Sequence, residues 1–169
     1  DVKLSKNLEY LGNCAFQNAA IAEIEIPKSL DKAATSVFSS SYTFNDVEYG
    51  VAGGPFFACD NLKTVKFEKG TTAVAEKLFS GATGLEEITI PETVTTIEVN
   101  AFEDCLRLSK VNMSDYVTAI NGRAFESCIS LKSIDLSDGL TTLGNRAFAY
   151  TALESIDIPR SLDSASKEV

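Results

Sequence analysis

The sequence predicts a right-handed parallel solenoid of about seven short turns, and three observations carry that expectation. Phe56, Phe79, Phe102, Phe125 and Phe148 stand 23 residues apart, and self-similarity at a fixed period of this size marks a stack of like supersecondary units. The same spacing carries a whole apolar template. After Phe102 the apolar or small positions are Cys105, Leu108, Val111, Met113, Val117 and Ile120, and the next phenylalanine is Phe125. A unit this small cannot bury its own apolar edge, so each must stack on a neighbour and add one rung to a continuous core.

Length and composition fit one elongated domain over residues 1–169, with 44% hydrophobic residues available for a core. A net charge of -9 and the lack of a long Lys/Arg cluster exclude the phosphate-neutralising surface that nucleic-acid binding rests on. No apolar run approaches the roughly 18 residues of a transmembrane span, and no signal-like start is visible, so the chain as given reads as soluble.

Taken in order, the chain opens inside a repeat. Val2, Leu4, Leu8 and Leu11 match Ile134, Leu136, Leu140 and Leu143, and Ala15-Phe16 matches Ala147-Phe148, all at a shift of 132 residues. The segment from Ala15 to Asp31 repeats as Ala147 to Asp163, and both copies lack one residue before Ile21 and Leu153. A shared deletion at one shift implies a higher-order repeat and a window cut from a longer array. Within each unit Leu-x-x-Ile-x-Ile ends in the period-2 alternation of a half-buried strand, as in Val65-Lys66-Phe67, Ile88-Thr89-Ile90, Val111-Asn112-Met113 and Ile134-Asp135-Leu136. Proline follows at Pro27, Pro91 and Pro159, where its missing N–H ends ladder pairing. A second apolar pair, Val94 and Ile97 or Leu140 and Leu143, is expected on the opposite wall, with Ala-Phe turning the chain back.

The register is interrupted at residues 31–55, a stretch holding Phe38, Tyr42, Phe44 and Tyr49. Two readings stand. In the favoured one, Ser41–Phe44 and Val47–Gly50 form a hairpin across Asn45-Asp46, residue types that tolerate a positive φ in a two-residue turn. In the other, Phe38, Ser41, Phe44, Val47 and Tyr49 make a short degenerate turn. Gly53-Gly54-Pro55 then returns the chain to register.

The motif Ala-Phe-x-x-Cys-x-x-Leu-x-x-Ile-x-Ile-Pro-x-x-Val-x-x-Ile, nearly whole at Ala101 to Ile120 and at Ala124 to Leu143, resembles the BspA-like leucine-rich repeat family. The resemblance covers the chain except residues 31–54. It implies a parallel leucine-rich-repeat solenoid from a bacterial cell-surface or secreted protein, extracellular, with adhesion or host-protein binding in some members. It carries no catalytic residues. Ala19, Ala82 and Thr151 at the Cys position depart from the motif, which points to a requirement for small volume.

The chemistry is narrow. The chain has no histidine, so His-dependent triads, Cys/His dyads and imidazole metal sites are excluded. Pairs such as Glu86-Glu87 and Glu103-Asp104 fall at expected outward positions and read as solvated surface. No phosphate loop and no Gly-x-Gly-x-x-Gly is present, and no cofactor is implied. Cys59, Cys105 and Cys128 share one template position, so the repeat sets their spacing; they read as small buried hydrophobes. Adjacent turns place Cys105 and Cys128 about 5 Å apart, near enough to permit a disulfide without requiring one. Cys14 falls at an apparently exposed position and is the expected reactive thiol.

Two functional classes follow. The first is a non-enzymatic binding module for a protein or glycan, with outward strand residues including Glu23, Glu25, Lys66, Glu87, Lys110, Asp135 and Asp157. The alternative is a structural spacer in which those residues serve solubility. The strand face has no aromatic side chain, and recognition surfaces are enriched in Tyr, Trp and Arg, so the candidate ligand-binding residues are Tyr42 and Tyr49 in the insertion. Uncapped apolar rungs at Val2, Leu4 and Leu8 and at Ile156, Ile158 and Leu162 imply end-to-end self-association.

Overall fold

The computed structural model describes residues 2–32, 41–44, 47–50 and 53–162. Among these residues ten short strands follow in chain order: β1 (Glu23–Ile26), β2 (Ser41–Phe44), β3 (Val47–Gly50), β4 (Thr64–Phe67), β5 (Ala73–Val74), β6 (Glu87–Thr89), β7 (Thr96–Ile97), β8 (Lys110–Asn112), β9 (Ala119–Ile120) and β10 (Thr142–Leu143). All pair in parallel except β2 and β3. One wall is the four-stranded sheet β5-β7-β9-β10, and the facing wall holds the pairs β1-β4 and β6-β8. In the four-stranded sheet Val74, Ile97, Ile120 and Leu143 share one line of register. Threonine hydroxyls tie each step to the last, as Thr118 Oγ1 donates to the Thr95 carbonyl across 23 residues.

The alternation read from the sequence appears as burial. Ile24 and Ile26 are buried while Glu23 and Glu25 are exposed, and Ile88 is buried between exposed Glu87 and Thr89. The third side is the Ala-Phe corner. Its rings form one unbroken stack, Phe16, Phe56, Phe79, Phe102, Phe125 and Phe148, with centroid separations of 5.4, 5.8, 5.5, 5.1 and 5.4 Å. Phe56 through Phe125 are fully buried. Phe148, expected in the core, is half-buried because the described part of the stack ends with it.

The corner backbone forms a third ladder. Phe79 N donates to Ala101 O at 2.9 Å, and Phe102 N to Ala124 O and Phe125 N to Ala147 O at 2.8 Å. To make this narrow corner the chain enters the left-handed region before and after each Ala-Phe, at Asn100 (φ 58°) and Asp104 (φ 56°), Arg123 (φ 58°) and Ser127 (φ 61°), and Arg146 (φ 60°) and Tyr150 (φ 58°). Such backbone is uncommon for residues other than glycine; Asn100 and Asp104 are types that tolerate it, whereas nothing in Arg123, Ser127, Arg146 or Tyr150 announced it.

Residues 31–55 leave that ladder intact: Phe16 stacks directly on Phe56 and its N–H donates to Pro55 O at 2.8 Å. The hairpin reading holds over the described strands, with Tyr42 opposite Tyr49 and Phe44 opposite Val47 in antiparallel register. The expected turn residues Asn45 and Asp46, and Phe38, lie outside the described residues. Gly54 reseats the chain in the corner, where a Cβ would stand 1.9 Å from the Lys77 carbonyl oxygen; any side chain is excluded there.

Two expected strands are absent among the described residues. Ile134-Asp135-Leu136 and Ile156-Asp157-Ile158 carry the alternating pattern, but residues 133–136 and 155–158 make no backbone hydrogen bond among the described residues, so the ladder of this wall stops at β8. The internal correspondence at 132 residues does recur in three dimensions. Short 3-10 turns occur at Lys28–Lys32 and Arg160–Leu162. Ser29 Oγ donates to Leu8 O at 2.6 Å and Ser161 Oγ to Leu140 O at 2.5 Å, while Leu30 N and Leu162 N each donate at 3.1 Å to the carbonyl of Pro27 and Pro159.

Candidate binding surfaces

On the strand wall the outward residues cross-link the turns. Lys66 pairs with Glu23, Lys63 with Glu86, and Lys110 with Glu87 at 2.6 Å; Asn112 Nδ2 donates to Glu87 Oε1 at 2.7 Å and to Thr89 Oγ1 at 3.0 Å. The Lys63 ammonium holds the Glu86 carboxyl below the ordinary carboxylate range, and Lys110 with Asn112 does the same for Glu87. Glu86 and Glu87 are solvated, as expected. Both lysines that the sequence places on this face are thus neutralised within it, and among the described residues the acids of this face without an ion pair are Glu25 on β1 and, toward the C-terminal turns, Asp135 and Asp157.

Glu103 departs from the expectation of solvated surface. It is half-buried against the corner, and burial pushes its carboxyl upward; Asp104 and Glu126 push the same way, while Asn100 and Ser80 partly offset them by hydrogen bonding. The next turn buries Glu126 at the equivalent position, between Arg146 Nη2 and Arg123 Nε, the latter 3.4 Å from Oε2. Arg146 also lies 5.3 Å from the Tyr150 ring centroid, in cation–π contact. Tyr150 is 69% exposed. Together with exposed Tyr116, it is a surface aromatic that the strand-face reading passed over, and its mismatch with the template, which holds Asp104 and Ser127 at the same place, is the signal that could have found it.

All four cysteines are free thiols. The three in register do more than fill space: Cys59 Sγ donates to Phe16 O at 3.0 Å, Cys105 Sγ to Phe79 O at 3.1 Å and Cys128 Sγ to Phe102 O at 3.2 Å. Each thiol is a second donor, from the next turn, to a corner carbonyl that already accepts the N–H three residues on, which corrects the reading of this position as a matter of volume alone. Burial pushes Cys105 well up and Cys128 to about 12. Cys14 is half-buried rather than exposed, and burial raises it also. Among the described residues no group of Cys, Asp and Glu is arranged to hold a metal ion, and no helix is long and apolar enough to cross a membrane.

The corner stack, the parallel walls and the six-fold recurrence match one family model, the BspA type leucine rich repeat region, in six copies over residues 1–50 and 53–169. The chain belongs to the BspA-type leucine-rich repeat family. Solved leucine-rich repeat proteins share its fold. One from Eubacterium ventriosum superposes with a TM-score of 0.63 at 23% identity over 90% of this chain and 37% of its own. Another, from Bacteroides ovatus, gives 0.53 at 27% identity over 82% of this chain and 28% of its own. This BspA-type chain therefore spans little more than a third of the longer match's partner and less of the other. No curated protein matches the chain in sequence.

Proposed function

We propose that residues 1–169 are one right-handed solenoid of about seven turns, part of a longer array, acting as a non-enzymatic binding module at the surface of a bacterial cell or secreted from it. Its ligand is a protein, with glycans as the second class, and the contact is of adhesion type. The observation that supports this reading most is the hairpin: β2 and β3 are added between Phe16 and Phe56, two rings that stack as neighbours. A segment that the stack does not need is free to serve recognition, and insertions in repeat proteins often map to a binding face. Tyr42 and Tyr49, opposite one another in register, are the proposed contact pair. The recurrence of the Ser29 and Ser161 hydrogen bonds supports the longer array, and Ile158, 52% exposed on the last described turn, supports end-to-end association.

The test is the double variant Tyr42→Ala, Tyr49→Ala, assayed against host matrix proteins and a glycan array beside its melting temperature. Lost binding at unchanged stability is the expected result; unchanged binding by a folded variant removes the hairpin. The second reading, a spacer presenting other domains, is favoured by the neutralised lysines of the strand wall, and would be supported if the native chain bound nothing in either assay. A sedimentation coefficient independent of concentration would remove self-association.

A further inference from the structure

Beyond β8, the strand wall changes character. Residues 133–136 and 155–158 carry the same alternating pattern as the paired strands, yet among the described residues neither run makes a backbone hydrogen bond. The two turns are joined at either end of these runs. Glu154 N donates to Lys132 O at 3.4 Å, and Ser161 Oγ donates to Leu140 O at 2.5 Å. Between those ties an open cleft of about 610 Å³ is lined by both runs, including Ile134, Leu136, Asp135 and Ile158. Runs of strand-forming sequence whose backbone groups are left without partners beside a cleft are what an added extended segment can pair with.

The charge selects the segment. Asp135, Asp138 and Asp157 line the cleft, and none of the three has an ion pair among the described residues, whereas every lysine on the paired part of this face has a carboxylate partner. Arg160 also lines it without pairing to any of them, so the cleft keeps an acidic excess. Asp135 and Asp157 occupy the outward places of their runs, between Ile134 and Leu136 and between Ile156 and Ile158. An extended chain alternating apolar and basic residues would set its apolar side chains against these isoleucines and leucine, and its cations beside the two aspartates, matching the period of 2 on both sides.

We infer that this cleft is a second binding site, taking an extended basic segment of a protein partner by main-chain pairing. The inference rests on the reading of the chain as a protein-binding module but not on Tyr42 and Tyr49. The probe is a fluorescein-labelled, amidated Val-Lys-Val-Arg-Val peptide, followed by anisotropy on the whole chain at low salt. Binding is expected to weaken at least about ten-fold in Asp135→Asn, Asp157→Asn, and to fail with the Val-Glu-Val-Glu-Val peptide. It should fail equally with a backbone N-methylated basic peptide, which keeps the charge and loses the main-chain donors. Equal binding of the acidic or N-methylated peptide, or unchanged affinity in the double Asn variant, overturns the proposal. Fold is monitored by melting temperature, and Ile158→Lys, on the exposed rim, supplies a second folded variant in which binding should be lost. Absence of basic-peptide binding in a chain that still captures a matrix protein or glycan through Tyr42 and Tyr49 removes the cleft and leaves the module standing. Cleft binding that persists in Tyr42→Ala, Tyr49→Ala supports the cleft whatever becomes of the hairpin.

Discussion

The Cys128 thiol donates across one turn to the Phe102 carbonyl oxygen, 3.2 Å away. Phe102 is therefore held by its ring in the stack, by its N–H to Ala124 O, and by its carbonyl, which accepts from Cys105 N as well as from the sulfur. In the native protein the S–H stretching band of the row cysteines should be shifted to lower frequency than in the denatured chain. Cys128→Ala should cost about 1 kcal/mol through the lost donor, and Cys128→Val more, because a fully buried site has no room for added methyl groups. A Cys128→Ala protein with unchanged melting temperature and no change in the infrared band would show that the sulfur contact contributes nothing.

Thiol reagents should distinguish the cysteines by burial. Cys59, Cys105 and Cys128 should titrate only on unfolding. Cys14 should react first in the native state yet more slowly than a solvent-exposed thiol, with a rate that keeps climbing above the ordinary thiol range, since burial raises it. An intact mass two hydrogens lower than the reduced chain would contradict the free thiols.

Replacing Phe102 by Ala removes an inner ring of the stack, with neighbours at 5.5 and 5.1 Å. The expected loss is about 3 to 5 kcal/mol. Phe148→Ala, at a half-buried ring with one described neighbour, should cost less. Chemical denaturation of the two variants side by side checks the order.

Glu103 should give a stability change with pH of defined sign. Burial, its largest perturbation, raises the folded pKa above the unfolded one, so its contribution is complete below the ordinary carboxylate range and is lost as pH rises through the folded value. Glu103→Gln should accordingly raise the melting temperature at neutral pH, and the gain should shrink to nothing below about pH 4. A gain that instead grew on acidification would reverse the assignment.

Ser127, at φ 61°, tests the corner backbone. Ser127→Val should cost about 1 to 2 kcal/mol, because a β-branched side chain resists the left-handed region. Ser127→Gly should stay within about 0.5 kcal/mol of the parent, relief of the strain being offset by chain entropy. Equal losses in both would place the effect in the side chain rather than the backbone.

The sequence by itself determined the stacking unit, because burial in a repeat is periodic: the phenylalanine spacing, the Ile-x-Ile alternation and the small residue three places after each phenylalanine all follow from one rung resting on the next. For residues 31–55 it favoured hairpin strands, through alternation flanking turn-forming residues, over a degenerate turn, and the antiparallel pairing of β2 with β3 decided between the two. What only the tertiary structure decided are relations between turns. The left-handed residues at Arg123 and Ser127 arise because the corner ladder leaves no other path, not because those residues prefer it. The thiol-to-carbonyl bonds, the burial of Glu126 between two arginines, and the unpaired runs at 133–136 and 155–158 likewise depend on the distance between neighbouring coils. A pattern of apolar residues fixes which side faces inward, whereas backbone pairing requires two coils to approach within hydrogen-bonding distance, and identical patterns such as Ile88-Thr89-Ile90 and Ile134-Asp135-Leu136 meet that condition in one place and not the other.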